Sequence, residues 1–159
     1  MPMMVAQRVG VLVCAFVWLG NINAFSAVRG SEAMYVGGTL TAVPEKTEGK
    51  LDTSHEKMAK FVWKKGEVLI PYDKVTSLEY GQKAGRRVGV AIAVTPFALF
   101  SKKRKHFLTV GYHDLDGKPQ GVVLELAKDT VRTVLATVEA RTGKPVEYES
   151  EEAKKHVGN

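Results

Sequence analysis

Apolar and polar residues alternate along most of the chain from Met34 to Leu126, and the alternation predicts strands. Tyr35–Val43 is rich in β-branched residues and ends at Pro44. Leu51–Ser54 is a short second run, and Met58–Lys64 a third. In that third run Ala59, Phe61 and Trp63 point one way and Lys60, Val62 and Lys64 the other. Glu67–Tyr72, Val75–Tyr80, Phe107–His113 and Gly121–Leu126 complete a set of seven. Breakers separate them. Glu45–Lys50 is charged, contains Gly49 and is read as a loop, and Lys65-Gly66 is a tight turn. Asp114-Leu115-Asp116-Gly117 is a hairpin signal, because Asp-Gly tolerates positive φ.

After Leu126 the period changes from two to 3.6. Val131, Val134, Leu135 and Val138 fall at i, i+3, i+4 and i+7, one apolar stripe of a helix. Arg132, Glu139 and Arg141 lie off the stripe. Asp129 is the expected N-cap, Gly143 suits the C-terminal end, and Pro145 prevents continuation. A lone amphipathic helix must bury its stripe, and the sheet is the available partner. The remainder, 147–159, carries four glutamates and two lysines and is expected to be a flexible charged tail.

The first thirty residues read as an export leader. Arg8 and the amino group supply positive charge, and Val9–Leu19 is eleven residues without charge. That suits the apolar core of a signal peptide and is shorter than the ~18 residues a bilayer span needs. Residues 1–27 are therefore assigned to a signal peptide. Cleavage is placed after Ala24 or Ala27, with the mature chain starting between Phe25 and Ser31 and released outside the cytoplasm, in a periplasm or beyond. Val13 before Cys14 and the apolar residues after it do not fit a lipidation site. Cys14 is the only cysteine, so no disulfide forms within the chain.

The meander Lys57–Tyr80 (KMAKFVWKKGEVLIPYDKVTSLEY) and the closing strand-to-helix stretch Leu124–Gly143 resemble the bacterial pleckstrin-homology-like and GRAM-like superfold. The resemblance covers roughly residues 34–146 and lies in the pattern and order of elements. It implies a mainly β fold with one C-terminal α-helix: a curved antiparallel sheet or barrel of about seven strands, capped by the amphipathic helix. It also implies a binding or scaffold module rather than an enzyme. Phosphoinositide recognition belongs to a subset of such domains and does not follow from the fold.

One segment, 84–105, interrupts the strand pattern. Arg86-Arg87 opens it, Val88–Phe100 runs thirteen residues without charge, and Lys102-Lys103-Arg104-Lys105 closes it. As a helix the run would reach about 20 Å against a ~30 Å hydrocarbon core, and Pro96 would break it. Three readings stand open. The run packs in the core with its cations in water; or Phe97, Leu99 and Phe100 dip into a membrane surface while the clusters meet anionic headgroups; or the segment is a protein interface. The candidate contact residues are Arg86, Arg87, Phe97, Leu99, Phe100, Lys102, Lys103, Arg104 and Lys105.

Charge sharpens this picture. The chain of 159 residues carries a net +6, yet Lys60–Lys105 alone holds eleven cations against Glu67, Asp73 and Glu79. Nucleic acid fits poorly, since the leader removes the chain from the cytoplasm and no aromatics are interleaved with the basic run. With 45% hydrophobic and 25% charged residues, the composition excludes a disordered or collagenous chain.

Motifs for catalysis are weak. His55, His106, His113 and His156 show no metal-ligand spacing. His113 beside Asp114 and Asp116 is read as a polar hairpin end, and Asp114-x-Asp116-Gly117 lacks the other ligands of a calcium loop. Gly111–Lys118 imitates a phosphate loop with one residue too many, and Pro119 stands where Ser or Thr should be. Trp63 and Tyr72 are expected in the core. No metal and no cofactor is expected. The function expected is a non-enzymatic exported module that contacts an anionic membrane surface or an envelope protein through residues 86–105. The alternatives are an assembly subunit with that segment packed, or a carrier or enzyme with a ligand cavity between sheet and helix.

Overall fold

A computed structural model describes residues 30–82 and 105–158. The strands among them are β1 (Ser31–Gly38), β2 (Thr47–Asp52), β3 (Met58–Trp63), β4 (Gly66–Pro71), β5 (Val75–Gly81), β6 (His106–His113), β7 (Pro119–Leu126) and β8 (Val146–Tyr148). Helix α1 (Val131–Thr142) lies between β7 and β8, and helix α2 (Glu151–Gly158) follows β8. A 3-10 turn, Tyr72–Lys74, links β4 to β5.

All eight strands form one sheet in the order β4-β3-β2-β1-β7-β6-β5-β8. Two antiparallel meanders, β1–β4 and β5–β7, meet where β1 pairs with β7. The mainly β class with a C-terminal helix is thus the observed one. The sheet differs from the expectation in being mixed and open. β8 pairs with β5 in parallel, and β4 and β8 end the order without pairing to each other.

Alternation places the core. Tyr35, Leu124, Leu108 and Tyr80 stand opposite one another on successive strands and are all buried. Val131, Val134, Leu135 and Val138 of α1 join the same cluster, so the predicted stripe is the face that packs on the sheet. Gly143 closes α1 at φ 66°, a left-handed conformation that glycine adopts at little cost, and its N–H donates to Glu139 O. The N-cap is Thr130, not Asp129. Its Oγ1 donates to Ala127 O, so the turn before the helix is held one residue later than the sequence suggests.

Three further differences have simple causes. β2 begins at Thr47, inside the stretch read as a charged loop. Glu48 and Lys50 are the wet face of a strand whose next inward residue is the buried Leu51. β1 starts at Ser31 and ends at Gly38; the chain then turns and buries Val43 in the core. Of the segment 147–159, expected to be a flexible tail, the described residues, 147–158, complete β8 and form α2. Val146 and Ala153 are buried, and Tyr148 and Val157 pack against the same core. A few apolar residues among many charges suffice to dock it.

The Asp114–Gly117 turn is as predicted. Gly117 sits at φ 78° and donates to Asp114 O at 3.0 Å. Asp114 Oδ1 accepts the N–H groups of Asp116 at 3.0 Å and Lys118 at 2.9 Å. Its Oδ2 accepts from Gln120 Nε2 at 2.9 Å.

Candidate functional site

Strand register brings several chain ends to one edge of the sheet. Ala33 pairs with Leu126, Leu126 with His106, Phe107 with Gly81, and Tyr80 with Tyr148. The start of β1, the end of β7, the start of β6 and the ends of β5 and β8 therefore lie side by side. Two pieces of chain join the fold at this edge: residues 1–29, which enter at Gly30, and residues 83–104, which leave after Gln82 and return at Lys105. The second carries six cations, Lys83, Arg86, Arg87, Lys102, Lys103 and Arg104, and no acid lies between Lys83 and Lys105.

The root of that segment is tied down on both strands. Tyr80, fully buried, places its hydroxyl 2.5 Å from His106 Nδ1, and the two rings stack with centroids 6.1 Å apart. Burial, and then the neighbouring Tyr148, pushes the Tyr80 phenol up to about 12. The phenol thus keeps its proton at neutral pH and shares a hydrogen bond with Nδ1. Tyr148 meets the Tyr80 ring edge-on at 5.9 Å. Glu149 N–H donates to Tyr80 O at 2.9 Å, and Glu149 Oε2 accepts the Gln82 N–H at 3.0 Å. The C-terminal segment thereby clamps the strand from which 83–104 departs. On the return side, Lys105 Nζ lies 2.8 Å from Glu125 Oε2.

Of the nine candidate contact residues, Lys105 is described, and it is half-buried and paired with β7 rather than held out as a free contact. Arg86, Arg87, Phe97, Leu99, Phe100, Lys102, Lys103 and Arg104 lie outside the described residues. The residues 1–27 assigned to the leader also lie outside them. Among the described residues no helix is long and apolar enough to cross a membrane.

Other sequence-level candidates have structural work. Asp114 holds its turn, and the Gln120 amide, then the Lys118 N–H, keep its carboxyl below the usual carboxylate range. His55 Nδ1 accepts the Lys57 N–H at 3.1 Å. Trp63 stacks on Phe61 at 5.9 Å. Tyr72 is buried beneath the Arg141 guanidinium, 5.8 Å from the ring centroid, while Arg141 Nη1 donates to His55 O at 2.8 Å. Between sheet and α1 the void is about 10 Å³, lined by side chains such as Leu51, Ile70, Leu108 and Val138. That is room for about one water and not for a ligand. Among the described residues no three His, Cys, Asp or Glu side chains cluster as metal ligands would.

An open groove of about 560 Å³ crosses β2, β1 and β7 on the side away from α1. Met34 is on its floor, opposite Glu48 on one neighbouring strand and Glu125 on the other. Glu32 and Lys50 face each other one step along. Sequence reading missed this groove, because only the strand order brings these residues together.

No protein-family model matches the chain, and a search of curated proteins finds no significant match.

Proposed function

We propose that the chain is an exported, non-enzymatic binding module of the pleckstrin-homology-like type that docks on an anionic membrane surface. The contact is the basic segment 86–104, presented from the edge formed by Gly30, Gln82 and Lys105. The single observation that supports this most is the clamped root: Tyr80, His106, Glu149 and the Lys105–Glu125 pair hold Gln82 and Lys105, the two ends between which the five cations of 86–104 stand in sequence, on one rim of the sheet. Each cation of the segment contributes about 1 kcal/mol near an anionic surface, within a Debye length. The two meanders joined at β1 and β7, with one helix laid across their common face, agree with the pleckstrin-homology-like reading. The filled space beneath α1 supports a surface contact over a ligand cavity.

Co-sedimentation of the exported chain with vesicles tests the proposal. Binding to vesicles containing phosphatidylserine, and not to pure phosphatidylcholine, is the expected result. Equal recovery in both pellets, or in neither, rejects it. N-terminal sequencing of the exported chain should read a start between Phe25 and Ser31; a start at Met1 rejects cleavage of the leader.

A further inference from the structure

The sheet ends in two unlike edges. β8 is three residues long and carries the exposed Glu147, and short, charged edges resist pairing with other chains. β4 is six residues long, and its stretch Val68–Pro71 carries no charge. Among the described residues β3 is the only strand that pairs with β4. Val68 and Leu69 are half-buried, and Ile70 and Pro71 after them are buried.

The register shows which backbone groups of β4 are left over. Tyr72 N–H donates to Lys57 O at 3.0 Å, and this contact continues the β3–β4 ladder by one step. In an antiparallel ladder the hydrogen-bonded pairs come at every second residue. Gly66, Val68 and Ile70 therefore bond to β3, and the N–H and C=O groups of Glu67 and Leu69 point away from it. Pro71, next in the outward series, has no N–H and ends the strand, a position where an edge tolerates proline. Two donors and two acceptors remain, on a strand whose one charged residue is Glu67.

We infer that β4 pairs antiparallel with β4 of a second copy of this chain, about a two-fold axis at Val68. Glu67 of each copy then stands opposite Leu69 of the other. The two donors of each copy meet the two acceptors of the other in four hydrogen bonds, and no outward group is left over. Val68 faces Val68, a β-branched pair at the closely spaced position of the ladder. Glu67 faces an apolar residue rather than its own counterpart. The Lys64-Lys65 turn of each copy comes beside the end of the other strand, where Asp73 is exposed. A two-fold contact requires this self-complementarity, and it selects a second copy as the occupant of the edge. An axis at Leu69 would instead set Glu67 against Pro71, which lacks the donor. The inference uses neither Gln82 nor Lys105 and is independent of the membrane-docking reading.

Sedimentation of the chain as exported, over a rising concentration series and without lipid, tests this. A mass that doubles with concentration is the expected result, and a monomer throughout overturns the inference. Leu69→Pro removes an N–H that points away from β3 and leaves the β3–β4 ladder bonded, so it should hold the chain as a folded monomer. Val68→Cys, in a Cys14→Ser background, should form a disulfide between copies under mild oxidation. Its two Cα atoms would stand about 4.5 Å apart, within the span a disulfide bridges. If Leu69→Pro fails to fold, the cross-link decides: a disulfide dimer supports the pairing, and folded Val68→Cys that stays monomeric overturns it. A dimer that survives Leu69→Pro overturns it too, since the copies then meet elsewhere. So does a monomer in which the Leu69 amide exchanges slowly with solvent, because the edge is then covered within one chain.

Discussion

Lys105 Nζ and Glu125 Oε2 meet at 2.8 Å across neighbouring strands, so the last cation of the basic run is folded onto the sheet while the cations before it belong to the segment beyond. Twenty residues separate the partners in sequence, and only the β6–β7 register joins them. The pair fixes where the segment re-enters the fold. It adds little to stability, since a partly exposed ion pair contributes about 0–1 kcal/mol.

The stripe of α1 packs on the sheet, and Leu135 is 2% exposed. Leu135→Ala should cost on the order of 2–5 kcal/mol, because a cavity remains beneath the helix. Arg132→Ala, on the solvent face, should stay within about 0.5 kcal/mol. Urea titration of the two variants checks the assigned face, and equal effects would refute it.

The C-terminal segment should behave as part of the fold. Ala153 is 1% exposed, so Ala153→Asp forces a carboxylate into the core and should cost on the order of 1–3 kcal/mol or more. Lys155→Ala, on the exposed side of α2, should change stability by no more than about 0.5 kcal/mol. A thermal melt in which both variants match the parent would show that the segment is undocked.

Tyr80 and Tyr112 give the fold an alkaline limit. Burial pushes both phenols up to about 12. In the unfolded chain they ionise near their ordinary value of about 10, while the folded chain holds the protons. Their contribution is fully present below pH of about 10 and is lost as pH rises toward about 12. Stability measured in denaturant across that window should fall, and it should fall less steeply in Tyr112→Phe. A slope unchanged by the substitution would show that Tyr112 does not carry the effect.

Much of the fold is legible in the sequence because it follows local periods. Strands β3 to β7 and the α1 stripe are written as alternation and as i, i+3, i+4, i+7 spacing, whereas β1 is shifted toward the N-terminus and most of β2 falls in the stretch read as a loop. β8 and α2 were not legible as packed elements. Val146 and Tyr148 alternate, and Ala153 and Val157 stand four apart, but each signal is too short to outweigh the surrounding charges. The site was legible as composition: an uncharged run between basic clusters. Its placement was not, because the shared edge, the Tyr80–His106 contact and the groove around Met34 all depend on strand order, which is non-local. The same holds for the second apolar cluster, formed by Val36, Phe107 and Val123. Phe107 and Val123 look like ordinary strand residues until the register places them side by side on the face away from the helix.

The central claim is that clustered charge on one rim recognises an anionic surface. The direct measurement is vesicle affinity as a function of salt, for the parent chain and for a variant with Arg86, Arg87, Lys102, Lys103 and Arg104 changed to Gln. Lys105 is left in place because it pairs with Glu125. The parent should bind phosphatidylserine vesicles with an affinity that falls steeply between low and physiological salt, and the variant should lose both the binding and its salt dependence while keeping the parent's melting temperature. Parent affinity that is indifferent to salt, or retained by the five-Gln variant, would contradict the account.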